Sequence, residues 1–152
     1  MSKLHEYPVT LNWKGGRDGS GSVKADRTGV QVPLTVPPEF GGTEGDGTNP
    51  EELLTASLTA CYTITFGIIA TNRKLPLVSM DVKATGEVEE NGPQFTYKKI
   101  TVKPTITLES GATDDQIKIA EDMAHKADAY CIITNAVRDK VEIVVEPTVN
   151  RG

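Results

Sequence analysis

Two cysteines, Cys61 and Cys131, are the residues of this chain best equipped for covalent chemistry. Cys61 lies in "TNPEELLTASLTACYTITFGIIATN", Thr48 to Asn72, where no charged residue stands between Glu52 and Arg73. The thiolate, not the thiol, is the nucleophile, and apolar burial raises a thiol pKa above its usual value of about 8.5. On local sequence Cys61 therefore reads as a small core hydrophobe or as a thiol activated from outside its own helix. The dipole of that helix cannot activate it, because Cys61 lies about three turns from the helix start and the effect fades within the first turn. If Cys61 reacts, a cation must reach it from elsewhere.

Arg17, in "GGRDGSG", is the candidate cation; its neighbouring glycines permit tight backbone paths, and Asp18 can orient the guanidinium. The competing reading is an exposed hairpin tip. "GRDG" also matches the Gly-x-x-Gly loop of KH nucleic-acid modules, but that loop joins two helices and this one stands between strand-like segments. Glu51 and Glu52 favour the positive end of a helix. As adjacent helical residues they point about 100° apart, which does not suit a pair of carboxylates flanking a substrate. Glu51 precedes Cys61 by ten residues, roughly 15 Å along a continuous helix. To meet Cys61, either the helix breaks or a carboxylate comes from a second copy. Cys131 is placed to begin a short helix, where free N–H groups would favour its thiolate. A metal centre has little support, since His5 and His125 stand isolated and the cysteines lack Cys-x-x-Cys spacing.

These residues need a scaffold, and the chain offers one. "HEYPVTLNW", "GSVKADR" and "VQVPLTV" read as strands, with Pro8 and Pro33 assigned to edges or bulges because proline cannot donate to a ladder. "PPEFGGTEGDGTNP" is a loop dense in Gly and Pro, without the Gly-Lys-Ser ending of a phosphate-binding P-loop. Thr48 or Asn49 caps the next helix, and Pro50 suits its first position. Its apolar residues, from Leu53 to Ala70, cover most of the circumference, which predicts an enclosed helix. A second copy of the chain is the natural cover in a protein this small. The uncharged run Leu53 to Asn72 also has about the length of a membrane span. Seven of its residues are Thr, Ser or Asn, and the flanking segments alternate like soluble strands, so a span is not the reading adopted. "LVSMDVKATGEVEE" and "FTYKKITVKPTITLE" form a hairpin around Asn91-Gly92-Pro93. A helix capped by Thr113 runs through "DQIKIAEDMAHKADAY", with His125 on its surface; "CIITNAVRD" is a short helix and "KVEIVVEPTV" a closing strand.

With 152 residues the chain is expected to form one domain, 1–152, and a formal charge of −5 with pI near 5.1 disfavours a nucleic-acid partner. "MSKLHEYPVTLNWKGG" has no signal-peptide pattern, which leads to the expectation of a cytoplasmic, reducing location and of no structural disulfide framework.

The combination "GGRDG", "TNPEELLTASLTAC" and "YCIITNAV" resembles the OsmC/Ohr family, the osmotically induced and organic hydroperoxide resistance thiol peroxidases, over nearly the whole chain. "GGRDG" is more typical of the Ohr branch. The resemblance implies an α+β fold, an intertwined homodimer in which antiparallel sheets enclose central helices. It implies that Cys61 is the peroxidatic cysteine, Cys131 the resolving cysteine, Arg17 the thiolate-activating residue and Glu51 the carboxylate that orients Arg17. It further implies that organic hydroperoxides are reduced to alcohols, with no bound cofactor or metal, and that a lipoyl-type dithiol recycles the disulfide. Leu54, Tyr62, Ile64 and Phe66 are expected to form an apolar substrate pocket. Two features depart from the family pattern: Ile132 follows the second cysteine where proline is usual, and Tyr62 stands where phenylalanine is common. A non-enzymatic protein binding small apolar ligands and a general thiol–disulfide oxidoreductase are the alternatives.

Overall fold

The structure is a computed structural model that describes residues 1–43 and 45–152. Its contacts divide into two compact units, Met1–Leu53 and Leu54–Gly152.

The first unit is a three-stranded antiparallel sheet in the order β1-β2-β3, formed by β1 (Val9–Lys14), β2 (Ser20–Ala25) and β3 (Gln31–Thr35). The pairing runs from Val9 opposite Ala25 to Lys14 opposite Ser20, and from Ser20 opposite Thr35 to Lys24 opposite Gln31. Pro33 lies on edge strand β3, as expected, and its carbonyl accepts the Thr48 N–H at 2.9 Å. Every residue of β1 is exposed, including Val9, Leu11 and Trp13. The Gly/Pro-rich segment after β3 contains a 3-10 turn, Pro38–Phe40, closed by Gly41 at φ 85°. Glu44 of this expected loop lies outside the described residues.

Helix α1 (Pro50–Asn72) opens as its sequence dictates. Asn49 is the cap: its side-chain oxygen accepts the Glu52 N–H at 2.8 Å. Glu52 Oε1 in turn accepts from Asn49 Nδ2 at 3.0 Å and from Thr48 Oγ1 at 2.8 Å. Glu52 is therefore committed to starting the helix, while Glu51, half-buried, carries an Oε2 shielded from solvent.

In the second unit β4 (Leu77–Asn91) and β5 (Gln94–Leu108) form one long antiparallel hairpin. Gly92, at φ 59°, supplies the positive φ that a type II′ connection requires at its first residue. Ile100, Val102, Pro104, Ile106 and Leu108 alternate along β5 and are fully buried, the period-two pattern of a strand with one covered face. Capped by a reciprocal Thr113–Gln116 box, α2 (Asp114–Lys126) presents Ala120, Met123 and Ala124 to that core. It stops at Lys126, shorter than its sequence pattern suggests, and passes into a 3-10 segment, Ala127–Tyr130, before α3 (Ile132–Val137). The closing strand is two strands, β6 (Glu142–Val145) and β7 (Thr148–Arg151), both parallel to β5. The interruption falls at Glu146-Pro147, where proline has no N–H for the ladder.

On α1 the fully buried residues Leu58, Tyr62, Phe66 and Ala70 recur every four positions and pack into the β5–α2 core. The expected enclosure is not achieved within one chain. Ala56, Ala60, Ile64 and Ile68 form an exposed row, with Ile64 at 63% and Ile68 at 57% exposure. By length and composition α1 is apolar enough to cross a membrane; one row of it, Leu58, Tyr62, Phe66 and Ala70, is buried in the core. The result is a mixed α+β chain with two sheets and helices.

Candidate active site

Cys61 occupies the middle of α1, half-buried, one position before the buried Tyr62. Cys131 is fully buried between the 3-10 segment and α3, where it serves as the α3 N-cap. Its Sγ accepts the Thr134 N–H at 3.4 Å, the place a serine or threonine oxygen usually takes. Both cysteines are free thiols, and they are hydrogen-bonded to each other.

The two sulfurs are driven in opposite directions. Burial pushes the Cys61 thiol up, but hydrogen bonds from Cys131, the Ile133 N–H, the Thr65 hydroxyl and the Ile132 N–H together bring it below its ordinary value. Burial raises Cys131, and its hydrogen bond to Cys61 adds to the rise, outweighing the opposing donors of Thr134. Of the two, Cys61 is the sulfur that ionises first, and Cys131 is its hydrogen-bond donor. The sequence expectation placed the free N–H groups of α3 at the service of Cys131; those of Ile132 and Ile133 serve Cys61 instead. Activation thus draws on donors within the second unit itself.

Thr65 was not singled out from the sequence, although its position explains it: four residues after Cys61, it shares that residue's face of α1. Thr59, Thr63 and Thr71 spend their hydroxyls on carbonyls one turn back, at 2.7, 2.8 and 3.0 Å. Thr65 serves the sulfur.

The expected pocket residues separate. Leu54 is half-buried and Ile64 exposed, whereas Tyr62 and Phe66 are fully buried members of the core. Tyr62 donates its hydroxyl to the Ala124 carbonyl at 2.5 Å, and burial, with Asp128 nearby, pushes its ionisation far up. This corrects their assignment as pocket lining. A side chain wholly covered by its own chain presents no surface to an entering ligand.

Arg17 and Glu51 belong to the first unit. Arg17 is in the β1–β2 loop, and its side chain lies over Gly41: a Cβ there would come within 2.5 Å of Arg17 Cδ. Gly41, in the loop after β3, is the residue that permits this close approach. α1 is helical at every residue from Pro50 to Asn72, so the break needed to fold Glu51 toward Cys61 does not occur.

Residues 42–146 match the family described as OsmC-like protein. The chain belongs to this OsmC/Ohr family. It is 30% identical to the uncharacterized protein YmaD of Bacillus subtilis, over 97% of each chain. It is also 30% identical to an organic hydroperoxide resistance protein of Xanthomonas axonopodis pv. citri, over 91% of this chain and 92% of the other. The fold is that of an OsmC-like protein of unknown function from Vibrio cholerae, at TM-score 0.82 and 22% identity over 95% of this chain and all of the other.

Proposed function

We propose that this OsmC/Ohr member is a cysteine-based peroxidase that reduces organic hydroperoxides to alcohols. The observation that carries the reading is the hydrogen-bonded pair of free thiols, with Cys61 lowered and Cys131 raised. The naming of relatives as organic hydroperoxide resistance proteins supports the choice of substrate.

In the proposed cycle the Cys61 thiolate attacks one oxygen of the hydroperoxide. An S–O bond forms, the O–O bond breaks, and the departing alkoxide takes a proton to leave as alcohol. Cys61 is then a sulfenic acid. Cys131, as thiolate, attacks its sulfur; the S–S bond forms, the S–O bond breaks, and hydroxide leaves to become water. An external dithiol of the lipoyl type reduces the disulfide by exchange and restores both thiols. No bound cofactor is required, and the cycle suits a reducing, cytoplasmic setting.

Arg17 is assigned the role of binding the peroxide and stabilising charge on the leaving oxygen, with Glu51 holding its guanidinium. Because α1 is unbroken, Glu51 is assigned from a second copy of the chain. A homodimer is supported by the exposed apolar row Ala56, Ala60, Ile64 and Ile68 and by the uncovered Val9, Leu11 and Trp13 of β1.

The test is consumption of an organic hydroperoxide with dihydrolipoamide as reductant. Wild type is expected to turn over, and Cys61→Ser to be inactive. Cys131→Ser should complete one turnover and then over-oxidise. Full turnover by Cys61→Ser would refute the assignment, and binding of the alkyl compound without consumption would favour the ligand-binding alternative.

A further inference from the structure

Beside the thiol pair lies a polar group that the cycle above leaves unused. Thr134 is fully buried, and among the described residues no well-formed hydrogen bond holds its Oγ1. A buried hydroxyl held only by a weak approach to the Cys131 sulfur costs stability that valine, of nearly the same shape, would not incur. Its placement suggests why it is there. Cys131 is the N-cap of α3 and Thr134 stands three residues on, joined to it by the 3.4 Å bond from its N–H to Sγ. In a capping box the side chain at this third position reaches back toward the cap. Here the cap is a sulfur that must become an anion during catalysis. A neutral thiol is a weak acceptor, which leaves the hydroxyl poorly occupied in the reduced protein. A thiolate accepts a charge-assisted bond about twice as strong as a neutral one.

We infer that Thr134 activates Cys131 for disulfide closure, its hydroxyl donating to the Cys131 sulfur as the thiolate forms. This rests on the peroxidase reading and deepens it. While Cys61 is a thiolate, Cys131 keeps its proton and donates a hydrogen bond to that sulfur. Once Cys61 is a sulfenic acid, that acceptor is gone and Cys131 releases its proton to solvent. Its lone pair then attacks the Cys61 sulfur, displacing hydroxide. Thr134 keeps its own proton throughout; it stabilises the attacking anion. The titratable neighbours are Cys61 and, from the preceding 3-10 segment, Asp128, which Arg138 holds at 3.3 Å.

The experiment titrates Cys131 by its ultraviolet thiolate absorbance in a Cys61→Ser background. Thr134→Val is expected to move the Cys131 titration to higher pH, and Thr134→Ser to leave it in place. With Cys61 present, single-turnover disulfide closure below the Cys131 titration should slow, by about three- to fourfold for each pH unit of that shift once the higher nucleophilicity of a more basic thiolate is counted. An unchanged titration in a natively folded Thr134→Val protein overturns the inference. Should the valine variant not fold, Thr134→Ala is compared with Thr134→Ser, and identical titrations overturn it equally. No peroxide enters the titration, so its failure is separate from a failure of the peroxidase reading.

Discussion

Cys131 donates a hydrogen bond to Cys61, and that bond lowers the one thiol while raising the other. That shared proton adds to an asymmetry that burial of Cys131 and the donors Ile133, Thr65 and Ile132 also build between an attacking sulfur and a waiting one. Removing the donor should reduce it. In Cys131→Ala the Cys61 titration is expected to rise, whereas Cys131→Ser, which keeps an O–H donor, should raise it less. Iodoacetamide alkylation rates across pH measure both; equal titrations in the two variants would show that the donor does not set the Cys61 value.

Ile132 carries a prediction that the family resemblance alone would have missed. The family usually has proline after its second cysteine, and proline has no N–H. Here the Ile132 N–H donates to Cys61. Residue 132 is the first of α3, a position that accepts proline without breaking a helix. Ile132→Pro is therefore expected to fold normally, to raise the Cys61 titration and to slow its alkylation near neutral pH. The effect should be smaller than that of Cys131→Ala, since Ile132 is the weakest of the four donors.

The pH dependence follows with a definite sign. Because Cys61 titrates below the ordinary thiol value, its alkylation and its reaction with peroxide should reach their plateau at lower pH than those of a free thiol. Both should fall as pH drops through the lowered value. Linkage runs the same way: Cys61 stabilises the reduced fold above the unfolded thiol pKa, and loses that contribution as pH falls through its folded value. Cys131, raised, does the reverse, stabilising at low pH and losing the contribution as pH rises through its own value. Cys131 should accordingly resist alkylation at neutral pH in the native protein. Equal labelling of the two cysteines, by peptide mass spectrometry, would contradict the asymmetry.

Gly41 tests the setting of Arg17. Its φ of 85° suits glycine, and a Cβ would strike the Arg17 side chain. Gly41→Ala should displace the guanidinium and depress peroxide turnover toward the level of Arg17→Lys, whose point charge lacks the planar fork. The Cys61 titration is the second readout. Wild-type turnover in both variants would remove Arg17 from the mechanism.

The sequence carried the local elements well where short-range chemistry decides them. The Asn49-Pro50 helix start, the Thr113 cap and the Gly92 turn each rest on a few neighbouring residues. It was least informative where chain segments far apart meet. Nothing local says that Ile132 and Ile133 aim their N–H groups at a sulfur about seventy residues earlier, because a backbone donor leaves no mark in side-chain identity. Tyr62 and Phe66 looked like pocket candidates because they flank Cys61 on an apolar helix. Their four-residue spacing with Leu58 and Ala70 was the better guide, since it defines the stripe that meets β5 and α2. The all-round apolarity of α1 was legible; in the structure its row of Ile64 and Ile68 is exposed.

The most direct test of the thiol account treats the reduced protein with one equivalent of an organic hydroperoxide and maps the products by mass spectrometry. The account predicts alcohol in stoichiometric yield and a Cys61–Cys131 disulfide, with Cys131→Ser trapping the sulfenic acid on Cys61 alone. Intact thiols beside unconsumed peroxide, or oxidation beginning at Cys131, would contradict it.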